Sequence, residues 1–251
     1  MSARLAIDGG EPLRQRPFPH WPQWSEQERK ALLTTLASGE WWSMGGEQVD
    51  AFTREFAAAH EAAHGVCCTN GSAALEICLR AIGLDWGDEV ITSSYSFVAT
   101  ANAALLVGAI PRFADVLPDT WNLDPCQVEA LITPRTKAII AVHIGGEPAD
   151  MDALAQIAQE HDLPLIEDAA QAHGAAWRGR HVGAIGDMGT FSFQNSKNIT
   201  AGEGGIILTN SADWHERCWS VVNVGRRPDG GWYEHVGLAS NYRLTEWQAA
   251  V

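Results

Sequence analysis

From Gly65 onward the chain alternates short strand-like apolar runs with segments of helical period, and this alternation restricts the fold more than any other feature. The runs are Val66-Cys67-Cys68, Glu89 to Thr92, Ile110 to Phe113, Ala138 to Val142, Leu163 to Ile166, Thr190 to Phe193 and Gly205 to Thr209. Between them Leu75, Cys78, Leu79 and Ile82 recur at helical spacing, as do Met151, Leu154, Ile157 and Ala158. Strands without a polar face must be covered on both sides, and helical crossovers join parallel neighbours. The expected fold is therefore α/β, with a mainly parallel seven-stranded sheet between helices. Ligands of such sheets gather at the carboxyl ends of the strands.

The first 40 residues have another texture. Up to Pro22 they are rich in Pro and Gly and read as an extended arm; Ser25 and Glu28 then form a capping box ahead of an apolar stripe of Leu32, Leu33 and Leu36, which Gly39 ends. Val49, Phe52, Phe56 and Ala59 mark a second amphipathic helix. Two regions follow from this, residues 1–40 as arm and first helix and residues 41–251 as the large domain. Eleven tryptophans is a high count, and Trp21, Trp24, Trp41 and Trp42 are expected to anchor the arm to the body.

With 17 Lys and Arg against 31 Asp and Glu, the net charge of −14 disfavours a nucleic-acid or anionic-membrane partner. Apolar runs such as Ala103 to Ile110 fall well short of the ~20 residues that span a bilayer, and no signal-peptide pattern opens the chain, so a cytoplasmic protein is expected. The five cysteines contain no CxxC pair and read as buried small hydrophobes rather than as disulfides or zinc ligands. His60-Glu61-Ala62-Ala63-His64 fits HExxH, but Gly65 and a strand follow at once, so a helical register for zinc is not expected and no metal is assigned. Neither the turn at Gly71 nor the Gly183 to Gly189 cluster matches the dinucleotide pattern GxGxxG.

Three features could carry chemistry. Thr69-Asn70-Gly71-Ser72 links a strand to a helix and offers free amides to a phosphate. Asp168 ends a buried strand, where a carboxylate needs a cation or several donors. Lys197 lies between two strands beside Gly202, Gly204 and Gly205, a setting for a Schiff-base amine. In this order on an α/β chain they match the needs of pyridoxal 5'-phosphate: a phosphate cradle, an acid for the pyridine nitrogen and a lysine for the aldehyde.

The segments Thr69 to Leu75, Gly87 to Ile91, Ala149 to Asp152, Ile166 to Gly174, Phe191 to Phe193, Lys197, Gly202 to Gly205 and Asn241 to Leu244 make the chain resemble the DegT/DnrJ/EryC1/StrS sugar and cyclitol aminotransferases, of fold type I. The resemblance implies that Lys197 and Asp168 are catalytic and that Gln171 contacts the ring hydroxyl. It further implies that Phe97 stacks on the ring, that Gly71, Ser72 and Ser192 bind the phosphate, and that Asn241 reaches the phosphate from a partner subunit of a homodimer. The implied reaction is transamination of a keto sugar or keto cyclitol with glutamine or glutamate as donor. Trp41 to Gly46 and Phe191 to Asn195 also resemble aminohydroxybenzoate synthases, which dehydrate and aromatise an amino cyclitol. A third reading is a cofactor-binding regulatory homologue or inactive fragment. Relatives continue past the position of Val251, so the resemblance implies that a smaller C-terminal domain is missing.

Overall fold

The computed structural model describes residues 4–251. Its centre is a seven-stranded sheet built from β1 (His64–Cys68), β2 (Glu89–Ser93), β3 (Ile110–Ala114), β4 (Thr136–Val142), β5 (Leu165–Asp168), β8 (Met188–Ser192) and β9 (Gly205–Thr209), in the order β1-β9-β8-β5-β4-β2-β3. In this sheet β9 alone runs against its neighbours β1 and β8; every other pairing is parallel. A short hairpin of β6 (Ala176–Trp177) and β7 (Arg180–His181) lies outside it.

Alternate strand residues point to opposite faces, and the core divides accordingly. Val90, Ile140 and Ile166 join the cluster beneath α3 (Gly71–Ile82), α4 (Ala99–Leu106) and α7 (Ala212–Val222). Their chain neighbours Ile91, Ile139 and Leu165 join the cluster beneath α5 (Pro125–Leu131) and α6 (Met151–Glu160). On that second face α2 (Gln48–Ala59) covers Cys67, Phe191, Ile206 and Leu208. The expected α/β architecture is present, and α6 buries the face expected of it, with Met151, Leu154, Ile157 and Ala158 all buried.

The N-terminal region departs from expectation in its packing. α1 (Glu26–Ser38) has the capping box of Ser25 and Glu28 and stops at Gly39, yet Leu33 and Leu36 of its stripe are about half exposed and Thr35 is the buried residue. In α2 the buried alanine is Ala57 rather than Ala59, because the helix ends there and turns into β1. No neighbouring side chain caps α2 locally. Instead the buried carboxylate of Glu246, in α8 (Glu246–Ala250), accepts from the amides of Gln48 and Val49 at 2.7 and 3.1 Å. Four cysteines are buried as expected, but Cys126 is exposed, at the first turn of α5.

Candidate active site

Strand register brings the sequence motifs to one edge. Cys68 pairs with Gly205 and Gly205 with Ser192, while Val142 pairs with Asp168 and Asp168 with Thr190. The carboxyl ends of β1, β4, β5 and β8 thus stand side by side, together with the start of β9. At this edge lies a cleft of about 650 Å³ lined by Asn70, Gly71, Ser72, Ser96, Phe97, Asp168, Gln171, Ser192, Gln194, Lys197 and Glu203, among others.

One wall is the start of α3. Asn70 caps it, its side chain accepting from the Ala73 amide at 2.8 Å. The close approach of strand and helix leaves no room for side chains here: a Cβ on Gly71 would lie 2.7 Å from Ser192 Cβ, and one on Gly205 would lie 2.6 Å from the Asn70 carbonyl. These glycines let Ser72 and Ser192 face one space at a helix N-terminus, a cradle of neutral donors suited to a phosphate.

Asp168 forms the floor, 7% exposed. Its Oδ2 accepts from the Thr100 hydroxyl at 2.8 Å and its Oδ1 from the Ala170 amide at 3.2 Å. Burial pushes its carboxyl above the ordinary range, and these two bonds only partly oppose the shift. A carboxylate so placed is matched by a cationic ring nitrogen.

Lys197 enters from the loop after β8, where its amide donates to the Gln194 carbonyl at 2.9 Å, and it forms no ion pair among the described residues. Trp21 of the arm donates to the Asn195 carbonyl at 2.7 Å, so the arm holds the loop that carries Lys197. The other early tryptophans remain between 41% and 73% exposed, with Trp42 under the Arg243 guanidinium and edge-on to Trp232.

Gln171 lines the cleft, its Oε1 accepting from the Gly145 amide at 2.7 Å. Phe97 is 67% exposed at the cleft mouth, which excludes a core role within this chain. Asn241 is the one assigned residue outside the cleft. It is exposed, and its side chain accepts from the Arg243 amide at 3.2 Å, while the neighbouring Tyr242 carbonyl receives the Thr69 amide of the α3 approach.

HExxH does not form a metal site. α2 ends at Ala59, so His60 stacks on Phe56 while His64 opens β1 and stacks on His215. Among the described residues no group of three or more His, Cys, Asp or Glu side chains could hold a metal ion.

Sequence reasoning missed Ser96, Thr100, Gln194 and Glu203 at the site, and the pair His143 and Glu167 behind it. The Ala149 amide donates to His143 Nδ1 at 3.1 Å, so Nε2 carries the proton and donates to Glu167 at 2.9 Å. A run of hydroxyl residues between a strand and a helix, as at Ser93 to Thr100, was the available sign for Ser96 and Thr100.

A mostly parallel α/β sheet with a buried acid, a lysine and a glycine-lined helix N-terminus at one edge is the arrangement that the fold-type-I resemblance leads one to expect. The sequence matches the DegT/DnrJ/EryC1/StrS aminotransferase family over residues 23–251, and the chain belongs to that family. It is 44% identical, over its full length, to a putative L-glutamine:3-amino-2,3-dideoxy-scyllo-inosose aminotransferase of Streptoalloteichus tenebrarius, of which it covers 61%. The crystal structure of 3-amino-5-hydroxybenzoic acid synthase superposes with a TM-score of 0.90 at 45% identity, covering 93% of this chain and 62% of that one. NtdA from Bacillus subtilis with bound cofactor PMP superposes with a TM-score of 0.83 at 32% identity, over 90% of this chain and 51% of that one. The chain thus spans about three fifths or less of the length of these proteins.

Proposed function

We propose that this chain carries the cofactor-binding part of a pyridoxal-phosphate-dependent aminotransferase that moves an amino group from glutamine or glutamate to a keto cyclitol or keto sugar. The observation that carries the reading is the convergence of Asp168, Lys197 and the Gly71–Ser72 helix start on one cleft. The bound cofactor supplies an aldehyde that captures amines and a ring that accepts electrons. Gly71, Ser72 and Ser192 hold its phosphate, Phe97 covers the ring, and Gln171 meets the ring hydroxyl. Asp168 keeps the proton on the ring nitrogen. Lys197 Nζ would take the proton from the α-carbon of the amino-acid donor as base and, as acid, deliver it to the carbon derived from the cofactor's aldehyde.

Reduction with borohydride followed by peptide mapping tests the assignment. The pyridoxyl label is expected on Lys197, and a label on Lys137 or Lys30 overturns the reading. The keto-cyclitol substrate and glutamine donor are supported by the similarity to the scyllo-inosose aminotransferase. The equally close 3-amino-5-hydroxybenzoic acid synthase supports a second reading, dehydration with aromatisation, which predicts a new ultraviolet absorbance in the product.

Within this reading the active unit is a homodimer: the resemblance implies that Asn241 reaches the phosphate of the partner's cleft, and Asn241 is exposed and outside its own cleft. Co-refolding inactive Lys197→Ala chains with an inactive Asn241 variant restores activity if sites are shared. No recovery, with mixed dimers confirmed by mass, removes Asn241 from the site.

A further inference from the structure

We propose that Ser96 and Thr100 form a hydroxyl relay that fixes the carboxylate of Asp168 toward the cleft, which makes Thr100 a positioning residue for the cofactor's ring nitrogen. The inference rests on the cofactor reading above.

A threonine inside a helix ordinarily returns its hydroxyl to the carbonyl four residues back. Two threonines of this protein do so: Thr35 Oγ1 donates to the Ala31 carbonyl at 3.1 Å and Thr53 Oγ1 to the Val49 carbonyl at 2.6 Å. Thr100 is the second residue of α4 and has no carbonyl of its own helix four residues back, so its hydroxyl is free to turn elsewhere. Its Oγ1 lies 2.8 Å from Asp168 Oδ2, a residue 68 positions away, and 2.7 Å from Ser96 Oγ. Thr100 is 1% exposed, so water does not supply a substitute partner.

Proton counting sets the direction of the relay. A hydroxyl has one hydrogen and an ionised carboxylate has none to give. The Thr100 hydrogen therefore goes to Oδ2, and the hydrogen between the two hydroxyls comes from Ser96, which itself lines the cleft. With the Ala170 amide on Oδ1, both carboxylate oxygens are held and the group cannot rotate without losing a bond. Thr100 is the only side-chain donor to Asp168 among the described residues. Its removal leaves one oxygen of a buried anion unpaired, a condition relieved by rotation or by uptake of a proton, and either outcome weakens the hold on a protonated ring nitrogen.

The test uses the full-length apoenzyme and two probes, pyridoxal phosphate and its 1-deaza analogue, which has carbon in place of the ring nitrogen. Thr100→Val is expected to bind pyridoxal phosphate about tenfold more weakly, the loss of one hydrogen bond to a charged group, and to bind the deaza analogue within about twofold of wild type. Thr100→Ser, which keeps the hydroxyl, should restore pyridoxal phosphate binding. Ser96→Ala, at the surface of the cleft, should give about a threefold loss with the same selectivity, and it decides the question if Thr100→Val does not fold. Equal weakening of both probes would show that Thr100 only packs, and unchanged binding of pyridoxal phosphate in Thr100→Val and Ser96→Ala would overturn the relay. If the wild type binds pyridoxal phosphate no better than Lys197→Ala and Asp168→Asn together, the cofactor reading fails and takes the relay with it.

Discussion

Glu167 and Asp168 are consecutive at the end of β5, both buried, and they face opposite sides of the sheet. Glu167 is fully supplied: the His143 ring and the amides of Gly183, Ile185 and Gly186 donate to it at 2.7 to 2.9 Å. Burial alone would raise its carboxyl, but these donors outweigh it and hold the group below the ordinary range. Asp168 has two donors and is held above that range. One carboxylate closes a loop against the sheet and is complete within the protein. The other is left short of positive charge on the side where the cleft opens, which is the electrostatic condition for receiving a cation.

The largest effect should come from the incomplete carboxylate. Asp168→Asn is expected to lower turnover by about 10² to 10³, the usual cost of losing one well-placed electrostatic partner, while leaving thermal stability the same or higher. The Thr100 hydroxyl can reverse to accept from the new amide, so the fold loses little. Near-wild-type turnover in a steady-state assay would show that another group governs the ring nitrogen.

Glu167→Gln should do the opposite. An amide turns an NH₂ toward two of the four donors, and a loss of about 3 kcal/mol in a denaturant titration is expected, with the active-site chemistry intact in whatever fraction folds. A variant as stable as wild type would erase the contrast between the two positions.

Gly71→Ala probes the cleft side sterically. Its Cβ would meet Ser192 Cβ and press β8 away from α3, for an expected loss of about 1 to 3 kcal/mol together with weaker cofactor retention. Unchanged stability by thermal melting would mean that the strand end is more compliant than the register implies.

The smallest effect is a difference in slope with pH in the apoenzyme. The raised Asp168 makes the folded state hold its proton more firmly than the unfolded state, so its contribution is present below the ordinary aspartate value and lost as pH rises through the folded value. The lowered Glu167 contributes above the ordinary glutamate value, and that stability is lost as pH falls through its folded value. Melting curves across the acid range should show Asp168→Asn removing the loss on the rising side and Glu167→Gln removing the loss on the falling side. Identical slope changes in both variants would contradict the assignment of the two shifts.

Much of this architecture is legible in the chain before folding. Unbroken apolar runs deliver the seven strands and the 3.6-residue period delivers α6, because burial on both faces of a sheet, or on one face of a helix, is written in nearby side chains. Asp168, Gly71 and Lys197 were readable for a related reason: the first ends a buried strand, the second opens a helix just after one, and the third lies in the loop between two. The apolar stripe of α1 is written in the same way, yet Leu33 and Leu36 stay exposed, because a stripe records what a helix can bury and not what stands opposite it.

What folding alone decided are the pairings over long sequence separation. That Glu246 caps α2, that Gly183 to Gly186 wrap Glu167, and that Thr100 in the first turn of α4 reaches Asp168 all depend on which segments meet in space. Hydrogen bonds of this kind need one donor at one distance and leave no period in the chain that supplies them. Layers, strand ends and the chemical types gathered there follow from local burial and are written in the chain; which buried carboxylate is fully satisfied and which keeps two donors at the cleft is set by the pairings of the folded protein.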